Sequence, residues 1–161
     1  MIGLTLTHRA LRRALAAALL ASVFGAGPAL AHAHLDASTP EANAVVTEPV
    51  TVVELRFSEG VEVAFSTFKA YRLDAEVDLT ADNAAARLNA LAAVVVSAYN
   101  GTAEDGDGTV DAEVGNATGD KATVTLSFAE PLAPGHYVVM WRVLSVDTHV
   151  VEGHIVFSVG E

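Results

Sequence analysis

In the stretch TVVELRFSEG the apolar residues Val53, Leu55 and Phe57 alternate with Glu54 and Arg56. Successive side chains of an extended strand point to opposite faces, so this alternation predicts a strand with one buried side and one wet side. The same period returns three times. KATVTLSF sets Ala122, Val124, Leu126 and Phe128 against Thr123, Thr125 and Ser127. PLAPGHYVVMWRVLS opens on a Pro/Gly turn and puts Tyr137, Val139, Trp141 and Val143 on one face. GHIVFSV places Ile155, Phe157 and Val159 in register. VAFSTFKAYRL and the β-branched AAVVVSAY at 92–99 read as further strands, and a short piece lies near Ala37–Val46. About seven short strands divided by turn residues predict an all-β sandwich or barrel. One short surface helix is expected in TADNAAARLNALAA, Thr80–Ala93, from its Thr start and Ala-rich body.

The first 31 residues have a different character. Arg9, Arg12 and Arg13 precede the uncharged apolar run Ala14–Gly27, then Pro28 and the small-x-small site Ala29–Ala31. This is the three-part pattern of a secretory signal peptide, and the run falls short of the roughly 20 residues that span a bilayer. Residues 1–31 are therefore expected to be cleaved, leaving an exported domain over 32–161 with no stable membrane insertion. Ala31–Ala33 is also small-x-small, so the first mature residue is His32 or His34. Without the leader, six Lys/Arg face 20 acids, a formal charge of −14. Such a chain repels nucleic acid and anionic lipid and attracts cations. The chain has no cysteine, so stability must come from packing rather than disulfides.

An N-terminal histidine offers two nitrogens, its imidazole and its own α-amine. The amine has an ordinary pKa of about 7.7–8.0, so a metal ion can displace its proton near neutral pH. In SVDTHVVEGH, Asp147 and His149 sit at i and i+2, which puts both side chains on one face of an extended segment. Copper(II) prefers a tetragonal set of nitrogen and oxygen donors, which His32, Asp147 and His149 can supply; zinc has a use for a similar set. Arg142 offers Asp147 an alternative, structural partnership. Glu59, in FSEG, ends a strand at an expected rim. His136 and His154 read as exposed sheet or turn residues. The acidic, glycine-rich segment Asn100–Asp120 reads as a long hairpin or loop whose Asp spacing misses a calcium loop.

Together HAHLDASTPEANAVV, LRFSEGVE and PLAPGHYVVMWRVLSVDTHVVEGHIVFSV resemble, in order, the motifs of the CopC family of periplasmic copper-binding proteins. The resemblance implies a cupredoxin- or Ig-like Greek-key β fold. It also implies one copper(II) ion per chain, held by His32 with its amine, Asp147 and His149. Glu59 falls near that site as a minor contributor, and His34 is an outer ligand at most. The implied role is a non-enzymatic copper carrier or buffer in copper homeostasis and resistance. The implied partner is an inner-membrane copper transporter of the CopD type. Family members with a copper(I) site carry a methionine-rich loop; this chain has only Met1 and Met140. Two other functions fit the same residues less fully. One is a copper monooxygenase of the N-terminal-histidine type, which needs an open coordination position; the other is a metal-free Ig-like interaction module.

Overall fold

The computed structural model describes residues 33–145 and 149–160. All belong to the second of two units into which the chain divides, His32–Glu161. The strands are β1 (Leu35–Thr39), β2 (Val45–Val46), β3 (Val52–Phe57), β4 (Thr67–Leu73), β5 (Thr109–Val110), β6 (Glu113–Ala117), β7 (Asp120–Ser127), β8 (Gly135–Leu144) and β9 (Val150–Val159). A helix, α1 (Ala84–Tyr99), separates β4 from β5, and a 3-10 turn, Val63–Phe65, precedes β4.

Two sheets form, in the orders β1-β3-β7-β6 and β2-β9-β8-β4-β5. All described pairings are antiparallel except β2 with β9. The arrangement is a sandwich, and it removes the barrel alternative. Nine strands are found among the described residues; six of the seven expected segments supply seven of them, with Ala37–Val46 taking in parts of both β1 and β2, while β5 and β6 come from the segment read as a hairpin or loop. The alternating residues land inside as their spacing predicts. Val53, Leu55, Phe57, Val124 and Leu126 of one sheet pack with Tyr137, Val139, Trp141, Val143, Ile155 and Phe157 of the other.

AAVVVSAY is a correction: it is not a strand but the second half of α1. Leu88 and Ala92, four residues apart, share the buried helix face, and Val95, Val96 and Tyr99 continue it. That face covers Tyr71, Leu73, Val138, Met140 and Val156 on the outer side of the five-stranded sheet. Packing along the Ala-rich run thus overrides the β preference of three consecutive valines. The helix also explains why β8 is buried on both faces over Tyr137–Trp141.

The segment after α1 is fastened down. Lys69 Nζ contacts the Glu104 carbonyl and pairs with Asp105 Oδ1 at 2.8 Å. The hydrogen bond from Lys69 holds the Asp105 carboxyl below the ordinary carboxylate range. Beyond it, the segment read as a hairpin or loop supplies β5 and β6, and β6 forms a hairpin with β7, turning through Gly119 at φ +79°.

Candidate metal centre

One rim of the sandwich gathers three segments that the sequence holds far apart. At the first, Ala33 is fully buried in the core and His34 is exposed. The His34 amide donates to Ser58 Oγ at 3.1 Å, and the Ser58 amide donates back to the His34 carbonyl at 2.9 Å. Leu35 then pairs with Phe57 and Ala37 with Arg56, so Asp36 is the extra residue of a β-bulge. His34 Nε2 lies 3.0 Å from Asp36 Oδ1, and both side chains are open to solvent.

The second segment runs from Ser58 to Val61 and carries Glu59, which is half-buried. The third is the β8–β9 connection. Ser145, almost fully buried, bridges to Val61, and its amide donates to the His149 carbonyl at 2.9 Å. Two more bonds lock this corner: the Glu62 amide donates to the Leu144 carbonyl at 3.0 Å, and the Leu144 amide donates to Ser66 Oγ at 3.0 Å. Ser58 and Val61 are separated by at most about 10 Å of chain. The strand that begins after His34 and the loop that ends at His149 therefore converge on the two ends of one short segment, with Glu59 inside it.

Of the sequence candidates, His34, Glu59 and His149 sit on this rim; His32 and Asp147 lie outside the described residues. Among the described residues no three His, Asp or Glu side chains cluster closely enough to hold a metal ion. His34 takes Asp36 as its partner, and sequence reading passed over that residue although HLD has the same i, i+2 spacing as DTH. Ser58 and Ser145, which fix the backbone on either side, carried no sequence signal beyond their place at strand ends.

Arg142 has a cross-strand partner, while its alternative pairing with Asp147 lies outside the described residues. Its Nε donates to Glu152 Oε1 at 2.8 Å, and Glu152 is its partner on β9. His136 and His154 are corrected from exposed to half-buried. His136 Nδ1 lies 2.8 Å from Ser158 Oγ, while His154 pairs in register with Met140. Burial pushes both imidazoles below 6.5, with the nearby Arg72 charge adding to the effect at His136.

Comparison with known proteins adds a family to this geometry. The CopC domain matches residues 35–111 and 77–160, two stretches that together take in every strand described above. The chain belongs to the CopC family. Protein YobA of Escherichia coli K12 is 33% identical over 153 residues, covering 95% of this chain and 97% of its own length. Copper resistance protein C of Pseudomonas syringae pv. tomato is 32% identical over 143 residues, covering 86% and 92%. The crystal structure of PcoC, a methionine-rich copper resistance protein from Escherichia coli, superposes with a TM-score of 0.56 at 27% identity. It spans 80% of this chain and 99% of PcoC. Unlike a methionine-rich relative, this CopC-family chain keeps its one internal methionine, Met140, fully buried beneath α1. The two CopC matches overlap over 77–111, the span that carries α1.

Proposed function

We propose that the protein is a periplasmic copper(II) carrier or buffer. It holds one ion through the imidazole and amine of His32, with Asp147 and His149, once residues 1–31 have been removed. The observation that carries this reading is the convergence of the Ala33–His34, Ser58–Val61 and Ser145–His149 segments on one rim. Two of the three end one residue from a proposed ligand or on one. The burial of Ala33 supports cleavage after Ala31 rather than Ala33. The later cut would delete a core residue and turn the amide that donates to Ser58 into a charged amine. A donor set filled by the protein suits holding and passing on the ion, and the receiver we propose is an inner-membrane transporter of the CopD type. Trp141 and Tyr137 lie in the core, which removes the single tryptophan from any flat platform for polysaccharide.

The test is a chelator competition with copper(II). His149→Ala is expected to weaken binding about 100-fold or more, since even outer partners of a ligand are worth about 10–100-fold. A chain extended by one residue before His32 is expected to lose comparable affinity, because its amine has become an amide. Affinity unchanged in both variants overturns the ligand set; a protein that retains no copper overturns the carrier reading.

A further inference from the structure

The start proposed for the mature chain, His32-Ala33-His34, can hold copper(II) in two ways. One is the set above, in which the amine and imidazole of His32 join Asp147 and His149. The other needs these three residues alone. The amine, the amide nitrogens of Ala33 and His34 and the His34 imidazole close three fused rings into a plane of four nitrogens, the tetragonal arrangement copper(II) favours. A free chain start with histidine in third place is sufficient for it. That chelate would leave Asp147 and His149 idle and tie the ion to a tail rather than to the fold.

The rim opposes the second arrangement. An amide nitrogen bound to the ion has given up its hydrogen and no longer donates one. The His34 amide does donate, to Ser58 Oγ at 3.1 Å, and the Ser58 amide returns a bond to the His34 carbonyl at 2.9 Å. Ala33 packs in the core and Leu35 pairs with Phe57, so the chain is anchored on both sides of that amide. Turning the His34 nitrogen onto an ion would break the bond to Ser58 and strain both anchors.

We infer that Ser58 selects between the two sites: by holding the His34 amide as a donor, it disfavours the three-residue chelate and directs the ion to Asp147 and His149. The inference rests on the ligand set proposed above. Ser58 acts through the His34 amide rather than on the ion, so it is a positioning residue. Its hydroxyl is what matters, and Ser58 is exposed, so threonine fits in its place and alanine does not replace it.

Visible absorption and electron paramagnetic resonance test this, on protein exported and cleaved before His32 and given one equivalent of copper(II). Amide nitrogens are strong donors, so the three-residue chelate moves the visible band to shorter wavelength and adds nitrogen couplings. The same chain unfolded in urea, where Ser58 no longer holds His34, supplies its reference spectrum. Folded wild type is expected to show the unshifted band. In the His149→Ala background the two forms lie closer in affinity. There, Ser58→Ala is expected to raise the ratio of shifted to unshifted form about fivefold, the worth of one hydrogen bond. Ser58→Thr is expected to leave the ratio unchanged, and His34→Ala to abolish the shifted form. Far-UV circular dichroism checks each fold. A ratio unmoved by Ser58→Ala, raised equally by Ser58→Thr, or kept in His34→Ala overturns the inference alone. A shifted band dominant in folded wild type, or an affinity that His149→Ala does not change, overturns the ligand set and the inference with it.

Discussion

Gly153 shows how much one missing methyl group can matter. It faces Trp141 across the β8–β9 ladder, and a Cβ there would stand 2.5 Å from Trp141 Cζ2. The indole cannot swing away freely, because Phe57 meets it edge-on at a centroid distance of 5.7 Å. Gly153→Ala is therefore expected to cost about 1–3 kcal/mol, the range for overpacking a filled core, measured as a shift in the urea midpoint. At the rim, Ser58→Ala removes the acceptor of the His34 amide. We expect a loss of about 1 kcal/mol, with hydrogen exchange at His34 accelerated. Neither residue announced itself in the sequence: GHIVFSV gave its three apolar positions through period two, but the glycine two places before Ile155 has no periodic signature. The histidines were easier to find than their neighbours. His149 stands out by residue type, whereas Ser145 matters through its backbone, which only the folded ladder reveals.

At the scale of elements, the strands were legible wherever an alternating face met the inner core. β3 and β7 do so with a polar outer face, and β8 and β9 keep the alternation on their inner sides although α1 covers part of their outer sides. The reading failed in the layer laid over that outer side. Val94, Val95 and Val96 favour strand by type, yet Leu88 and Ala92 place them on a helix whose anchoring residues lie earlier in the chain. Leu88, only 4% exposed, is the clearest test of that layer. Leu88→Ala is expected to destabilise the fold by about 2–5 kcal/mol in chemical denaturation. The rim lies on other elements, so chelator competition is expected to report copper affinity unchanged. A parallel loss of affinity would mean that the helix supports the metal centre.

The whole molecule carries its charge unevenly through pH. His136 and His154 bind protons less readily folded than unfolded, because burial disfavours their charged forms. The unfolded chain therefore takes up more protons as the pH falls below about 6.5, and stability declines with it. The contribution is complete above that value and lost as the pH drops through the lowered folded-state values. Between about pH 7 and 5 the denaturation midpoint is expected to fall, and the double variant His136→Gln, His154→Gln is expected to flatten that slope. Asp105 and Asp120, both held low by hydrogen bonds, add a decline of the same sign nearer pH 4.

The Ser58–Val61 segment leaves the end of β3 in one sheet and reaches Ser145 beside β8 in the other. Its first residue is stitched to the start of β1, and its last to the β8–β9 loop. An ion held by both the chain start and that loop would work as a clasp across the seam between the layers. Prying the layers apart would then mean stretching bonds to the cargo. Loading and mechanical toughness would rise together, and surrendering the ion would be the moment when the sandwich is easiest to open.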